Sequence, residues 1–245
     1  MRSTWMTLAV AMATVAVAGC NLQITGPALQ GSGVSKTETR KVDTFHAVEV
    51  GGAIKATVKV GDKTEVVIEG DDNIIPLIET KVEDGRLVVR ARDGTSYSTK
   101  KPLTATITAT KLDALEADGA STIDATVAAS DAMTIEASGA GNVSATGIDA
   151  KEVKVTASGA SRVTAKGKGT SLTLDASGAS HVEAAELAVE SAKADLSGAS
   201  DAKVHASKSV AGDISGASHL DVAGSPSGRS VTTSGVGKVS YGGSK

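Results

Sequence analysis

Seven glycines in this 245-residue sequence, from Gly119 to Gly235, recur at intervals of 20, 20, 19, 20, 18 and 19 residues. Each lies in a tetrapeptide of small residues. The copies are Asp118–Ser121, Ser138–Gly141, Ser158–Ser161, Ser177–Ser180, Ser197–Ser200, Ser215–Ser218 and Ser234–Gly237, most often reading Ser-Gly-Ala-Ser. A period near twenty marks a solenoid whose coils stack on one another. Apolar residues alternate on both sides of each copy, the pattern of strands with one buried face. Upstream, Leu115, Ile135, Val155 and Leu174 share one coil phase, two residues before Ala117, Ala137, Ala157 and Ala176. Downstream, Ile123, Val143, Val163, Val182, Ala202, Leu220 and Val239 share another. Gly and Ala suit the tetrapeptide because a larger side chain would collide with the coil above. Leucine-rich and calcium-loaded nonapeptide repeats lack their motifs here, and helical repeats do not suit the Val, Thr, Ser and Gly content. The expected fold is all-β: a right-handed parallel β-helix of about 19–20 residues per coil, with an N-terminal β-rich cap region containing one short helix.

Only 2% of residues are aromatic, so the core must be a regular stack of small residues. The net charge of −3 gives no pull toward nucleic acid. Cys20 is the single cysteine. It follows a basic Met1-Arg2 start and an apolar run from Leu8 to Ala18, a signal peptide over residues 1–19 rather than a spanning helix. Val17-Ala18-Gly19-Cys20 resembles the bacterial lipobox, which would place a lipid on Cys20 and the chain on a membrane. The other reading is an ordinary signal peptide with an incidental cysteine. Asn21, rather than Asp, after the cysteine resembles the outer-membrane address of Gram-negative lipoproteins.

Residues 20–41 read as the lipidated Cys and a flexible tether, and 42–243 as a single domain. Within it, 42–112 is the cap region with the first coils and 113–243 carries the repeats. Phe45 to Val60 alternates around Gly51-Gly52-Ala53, much as the later coils do around their tetrapeptides. Asp71-Asp72-Asn73 suits the cap of a short helix through Ile74 to Ile78. Asp84-Gly85 suits a hairpin, residues 91–102 a polar loop, and Leu103, Ala105 and Ile107 the start of the regular stack.

This layout resembles the bacterial family called putative auto-transporter adhesin, head GIN domain, whose function is unknown. The resemblance rests on the lipobox, Phe45 to Gly52, Gly70-Asp71-Asp72-Asn73, Asp84 to Leu87 and the repeated Ser-Gly-Ala-Ser, and covers roughly residues 42–243. It implies a secreted or lipid-anchored β-solenoid of the cell envelope.

No nucleophile, zinc or phosphate-loop motif occurs in the sequence. His181 and His219 share a phase but lie two coils apart, roughly 10 Å, too far for one zinc ion. Two residues before the tetrapeptides sit Glu116, Glu136, Thr156, Asp175, Asp195, Asp213 and Thr232. Stacked coils would make Glu116, Glu136, Asp175, Asp195 and Asp213 an outward acidic column, a candidate site for a divalent cation such as Ca²⁺. The bland alternative is a solvated face that blocks lateral sheet pairing. The expected function is that of a non-enzymatic, lipid-anchored envelope scaffold with an adhesion or binding role toward a protein or glycan, without a cofactor. The alternatives are a carbohydrate-active β-helix enzyme, which would need sugar-stacking aromatics, and a periplasmic regulatory or assembly partner.

Overall fold

The computed structural model describes residues 28–242. The expected signal peptide, Cys20 and the first part of the tether lie outside them.

In chain order the strands are β1 (Leu29–Gln30), β2 (Ser35–Arg40), β3 (Ala47–Val50), β4 (Lys55–Val60) and β5 (Glu65–Asp71). After a 3-10 turn over Ile75–Leu77 come β6 (Ile78–Glu83), β7 (Arg86–Ala91), β8 (Tyr97–Ser98) and β9 (Thr104–Ala109). The repeats supply β10 (Ala114–Ala117), β11 (Thr122–Thr126), β12 (Ser130–Ala137), β13 (Asn142–Ala157), β14 (Arg162–Ala176), β15 (His181–Leu196) and β16 (Asp201–Ile214). The last are β17 (His219–Ala223), β18 (Gly228–Thr233) and β19 (Lys238–Tyr241).

The repeats stack in parallel register as their phases require. Leu115 pairs with Ile135, Ile135 with Val155 and Val155 with Leu174. Ile123, Val143, Val163, Val182, Ala202, Leu220 and Val239 form a second unbroken row. All but the last of these are essentially inaccessible to solvent. A core of Val, Ala, Ile and Leu, nearly without rings, suffices because each rung buries its neighbour on both sides. The corners are joined directly. The N–H groups of Ala120, Ala140, Ala160, Ala179, Ala199 and Ala217 each donate at 2.7 Å to a glycine carbonyl one rung below, from Gly52 up to Gly198. Gly51-Gly52-Ala53 is thus a true corner, as its resemblance to the tetrapeptides suggested.

The order of rungs in space is not the order in sequence. β4 pairs with β11 on one side and with β9 on the other, both parallel. β3 likewise lies between β10 and β7. Leu103, Ala105 and Ile107 therefore join the stack beneath the β3–β4 rung rather than starting it. β5 then closes that end, running antiparallel to both β9 and β2, and β6 closes it beside β7. The β6–β7 hairpin turns at Asp84 and Gly85, with φ of 50° and 76°, the left-handed pair that a two-residue turn of this kind demands.

Two expectations need correction. The short helix is only a 3-10 turn, and among the described residues no side chain caps it. Asp71, Asp72 and Asn73 are turned instead toward the N-terminal segment, and Ile74, Ile75 and Ile78 are drawn into the core. The tether does not extend to residue 41: Ser35–Arg40 is strand β2, paired residue for residue with β5.

Candidate functional site

The acidic column is real as a register. Glu116 pairs with Glu136, Glu136 with Thr156, Thr156 with Asp175 and Asp175 with Asp195. Asp213 follows, its N–H donating to Asp195 Oδ1 at 3.0 Å. One further member was not expected: Glu49 of β3 lies beside Glu116. Neighbouring carboxylates at the strand spacing of about 4.8 Å repel, and the fold places cations among them. Arg86 of β7 forms an ion pair with Glu116 and approaches Glu49 at 3.7 Å. Lys193 Nζ sits 2.7 Å from Asp195. Partial burial, and then the nearby Glu49, push the Glu116 carboxyl above the usual range. The Lys193 hydrogen bond holds Asp195 below it.

Beside this column runs a shallow groove of about 400 Å³, lined by Thr156, Asp175, Asp195, Asp213, Ser197 and Ser215. Its carboxylates project from one face at strand spacing rather than converging on a point. Among the described residues, no three His, Cys, Asp or Glu side chains are grouped as metal ligands. His181 and His219 flank Asp201 in register, and His219 Nε2 lies 3.0 Å from Asp221. His46 Nδ1 is 2.8 Å from Asp113. Burial opposes ionisation of Asp113, but hydrogen bonds from His46 and Lys111 outweigh it and hold its carboxyl low.

The most heavily engaged polar group is one that the sequence suggested only as a helix cap. Asp71 is fully buried. Its Oδ1 accepts from Gly33 N–H at 2.7 Å, and its Oδ2 from Lys100 and Lys101 N–H at 2.8 and 3.0 Å. The Lys101 bond above all keeps the carboxyl below the usual carboxylate range against the effect of burial. Asn73 accepts from Ser32 N–H at 2.9 Å and donates to Gln30 O at 2.8 Å, while Ser32 Oγ donates to Asp72 at 2.5 Å. Leu29 and Gly31 add backbone bonds to Ser96 and Ser98. Gly70-Asp71-Asp72-Asn73 is thus a clasp that fastens residues 29–34 to the closed end of the solenoid. A Cβ at Gly70 would lie 2.9 Å from the tip of the buried Leu103 side chain, which would have to shift to admit a larger residue. The run of three acid or amide residues was the available signal.

Comparisons agree with this architecture. The family model described as putative auto-transporter adhesin, head GIN domain, matches residues 44–226. No curated protein matches the sequence. A putative adhesin from Bacteroides fragilis superposes with a TM-score of 0.82 at 24% identity, over 87% of this chain and 99% of that one. A putative lipid binding protein from Parabacteroides distasonis gives 0.72 at 16% identity, over 87% of this chain and 100% of that one. A putative adhesin from Parabacteroides merdae gives 0.66 at 17%, over 90% and 100%. These likenesses concern the fold. The family match spans most of the chain and includes the β3–β4 rung, the clasp motif and six of the seven repeated corners, so this protein belongs to the putative auto-transporter adhesin, head GIN domain family.

Proposed function

We propose that this protein is a non-enzymatic binding scaffold of the bacterial envelope, anchored by lipid on Cys20, that presents the faces of a rigid solenoid to a protein or glycan. The observation that carries this reading is the clasp. It fixes residues 29–34 at the closed end, so a tether from Cys20 enters there and the stack points away from the anchor. From β2 through β5, β9, β4 and β11 to β19 the stack rises about 50 Å at strand spacing. The acidic column follows the middle of that stack from Glu49 to Asp213, with its groove beside Thr156 to Asp213, as a contact surface whose carboxylates are already held by Arg86, Lys193 and a backbone N–H. The adhesin-type family and relatives support a binding role.

The test is binding without turnover. The purified chain is applied to arrays of envelope polysaccharides and matrix proteins, and the bound polysaccharides are then assayed for new reducing ends or unsaturated products. Saturable binding with intact polysaccharide is expected. Release of products would replace the scaffold reading with an enzyme.

A further inference from the structure

The two ends of the solenoid are built differently. At the closed end the outermost strands carry charges of both signs. β2 has Lys36, Glu38 and Arg40, joined at 3.5 and 3.2 Å. β6 has Glu79, Lys81 and Glu83, joined at 3.9 and 3.0 Å. Such alternation obstructs pairing with another sheet. At the other end, among the described residues, β18 pairs only with β16 and β19 only with β17. Among the described residues nothing pairs with their outer edges. The inward rows nevertheless continue into this rung: Thr233 sits over Ile214, Val239 over Leu220 and Tyr241 over Val222. Val231 and Val239 are only partly buried, Tyr241 is 38% exposed, and Val236 at the corner is 77% exposed. The only charges on the two strands are Arg229 and Lys238, and Arg229 is folded over the Tyr241 ring at 4.3 Å.

We propose that this open end is the interface of a head-to-head homodimer, with its two-fold axis passing through Val236. The edge is bent at the corner, so a straight foreign strand pairs with β18 or with β19 but not both. A second copy turned end over end supplies an edge with the same bend. Residues equidistant from Val236 then face one another in antiparallel register. Val231 meets the partner's Tyr241, Thr233 meets the partner's Val239, and Ser234 meets the partner's Lys238. Inward residues thus meet inward residues, with Val231, Val239 and Tyr241 as the apolar members. The like charges do not meet, since Lys238 faces Ser234 and Arg229 falls beyond Tyr241. Every whole-residue centre within the Ser234–Gly237 corner keeps inward residues against inward ones; Val236 is the centre that sets Val231 against Tyr241 and leaves Arg229 over its own Tyr241 ring. One rung end is smaller than the roughly 800 Å² per partner of a standard interface, so the dimer is a micromolar one. A consequence rests on the anchoring proposed above: the two clasped ends lie about 100 Å apart, facing away from each other, so the contact would join two envelopes rather than neighbours on one.

The interface is tested without the anchor, on the full chain carrying Cys20→Ser, by sedimentation velocity across a concentration series. A monomer–dimer equilibrium is expected. Ser234→Lys sets a cation against the partner's Lys238 and weakens it about tenfold or more. Adding Lys238→Glu restores it, a rescue that only this register gives. On mild oxidation Val236→Cys forms a covalent dimer, whereas Ala179→Cys, at the same corner position three rungs lower, does not. A chain that stays monomeric to about 100 μM overturns the proposal. So does a dimer indifferent to Ser234→Lys, or one that Val236→Cys fails to trap. Loss of lipid labelling at Cys20 would leave the dimer standing and remove only its placement between envelopes.

Discussion

Gly178 sits directly on Gly159. A Cβ built on Gly178 would lie 2.6 Å from the Gly159 carbonyl oxygen, and the backbone there has φ of +77°. That oxygen already accepts the 2.7 Å hydrogen bond from Ala179 N–H, so it cannot retreat without parting two rungs. Gly178→Val should therefore destabilise by about 3 kcal/mol or more, from clash and left-handed strain together. Gly94 is the control. Its φ is +74° with nothing within 4 Å of a built Cβ, so Gly94→Ala should show the strain alone, about 1 kcal/mol. Urea melts of the two variants measure the difference, and equal losses would remove the crowded corner from this account.

The buried serines at the corners should divide by partner. Ser121 Oγ donates to Val50 O at 2.8 Å, so Ser121→Ala should cost about 1 kcal/mol. Among the described residues Ser180 Oγ meets only Ser200 Oγ, at 3.3 Å, and Ser200 also bonds Ser197 O, so Ser180→Ala should cost about 1 kcal/mol or less. Ser161 Oγ is buried with no partner among the described residues, and Gly141 occupies the matching place one rung below. Ser161→Ala should be neutral or stabilising. The order of the three melting temperatures is the check.

These serines show what the sequence made legible. Period two and period twenty are both visible along a single chain, so the rows from Ile123 to Val239 and the corner glycines are legible in the sequence alone. Pairing of β4 with β9 could not, because Lys55 meets Thr104 only after an excursion through the cap strands. The same excursion brings Arg86 to Glu116, a relationship that neither residue's neighbours announce. The role of Asp71 is hidden for a different reason. A carboxylate that accepts backbone N–H bonds serves a helix terminus or a loop equally well, and only the position of Gly33, Lys100 and Lys101 decides between them.

The clasp should fail in acid and on loss of the carboxylate. Because the Asp71 carboxyl titrates below its ordinary range in the folded chain, its contribution is present above that range and lost as pH falls through the folded value. Asp71→Asn retains one acceptor oxygen but turns an amide N–H₂ toward backbone donors. Limited proteolysis at neutral pH should cut residues 28–41 of Asp71→Asn faster than wild type, and the gap should shrink below about pH 4. Equal cutting at neutral pH would mean that the β2–β5 pairing alone holds the segment.

Removal of Arg86 should expose the repulsion in the acidic column. Arg86→Ala leaves Glu49, Glu116 and Glu136 in adjacent rungs without that cation. Glu116 already titrates above its usual range, so its protonated form is the one that folding favours, and this contribution is lost as pH rises through the folded value. Arg86→Ala should melt below wild type at pH 7, by about 1 kcal/mol given the solvent exposure of the pair, and the deficit should narrow toward pH 4. Adding Glu116→Gln should recover most of it. A deficit independent of pH would assign Arg86 a packing role only.

The central claim, an envelope scaffold anchored through Cys20 at its closed end, is tested most directly by growing cells with a clickable fatty acid and comparing the chain with Cys20→Ser. Wild type should carry the label and sediment with membranes, and Cys20→Ser should be unlabelled and leave them. Equal labelling of both, or Cys20→Ser remaining with the membranes, would contradict the anchor.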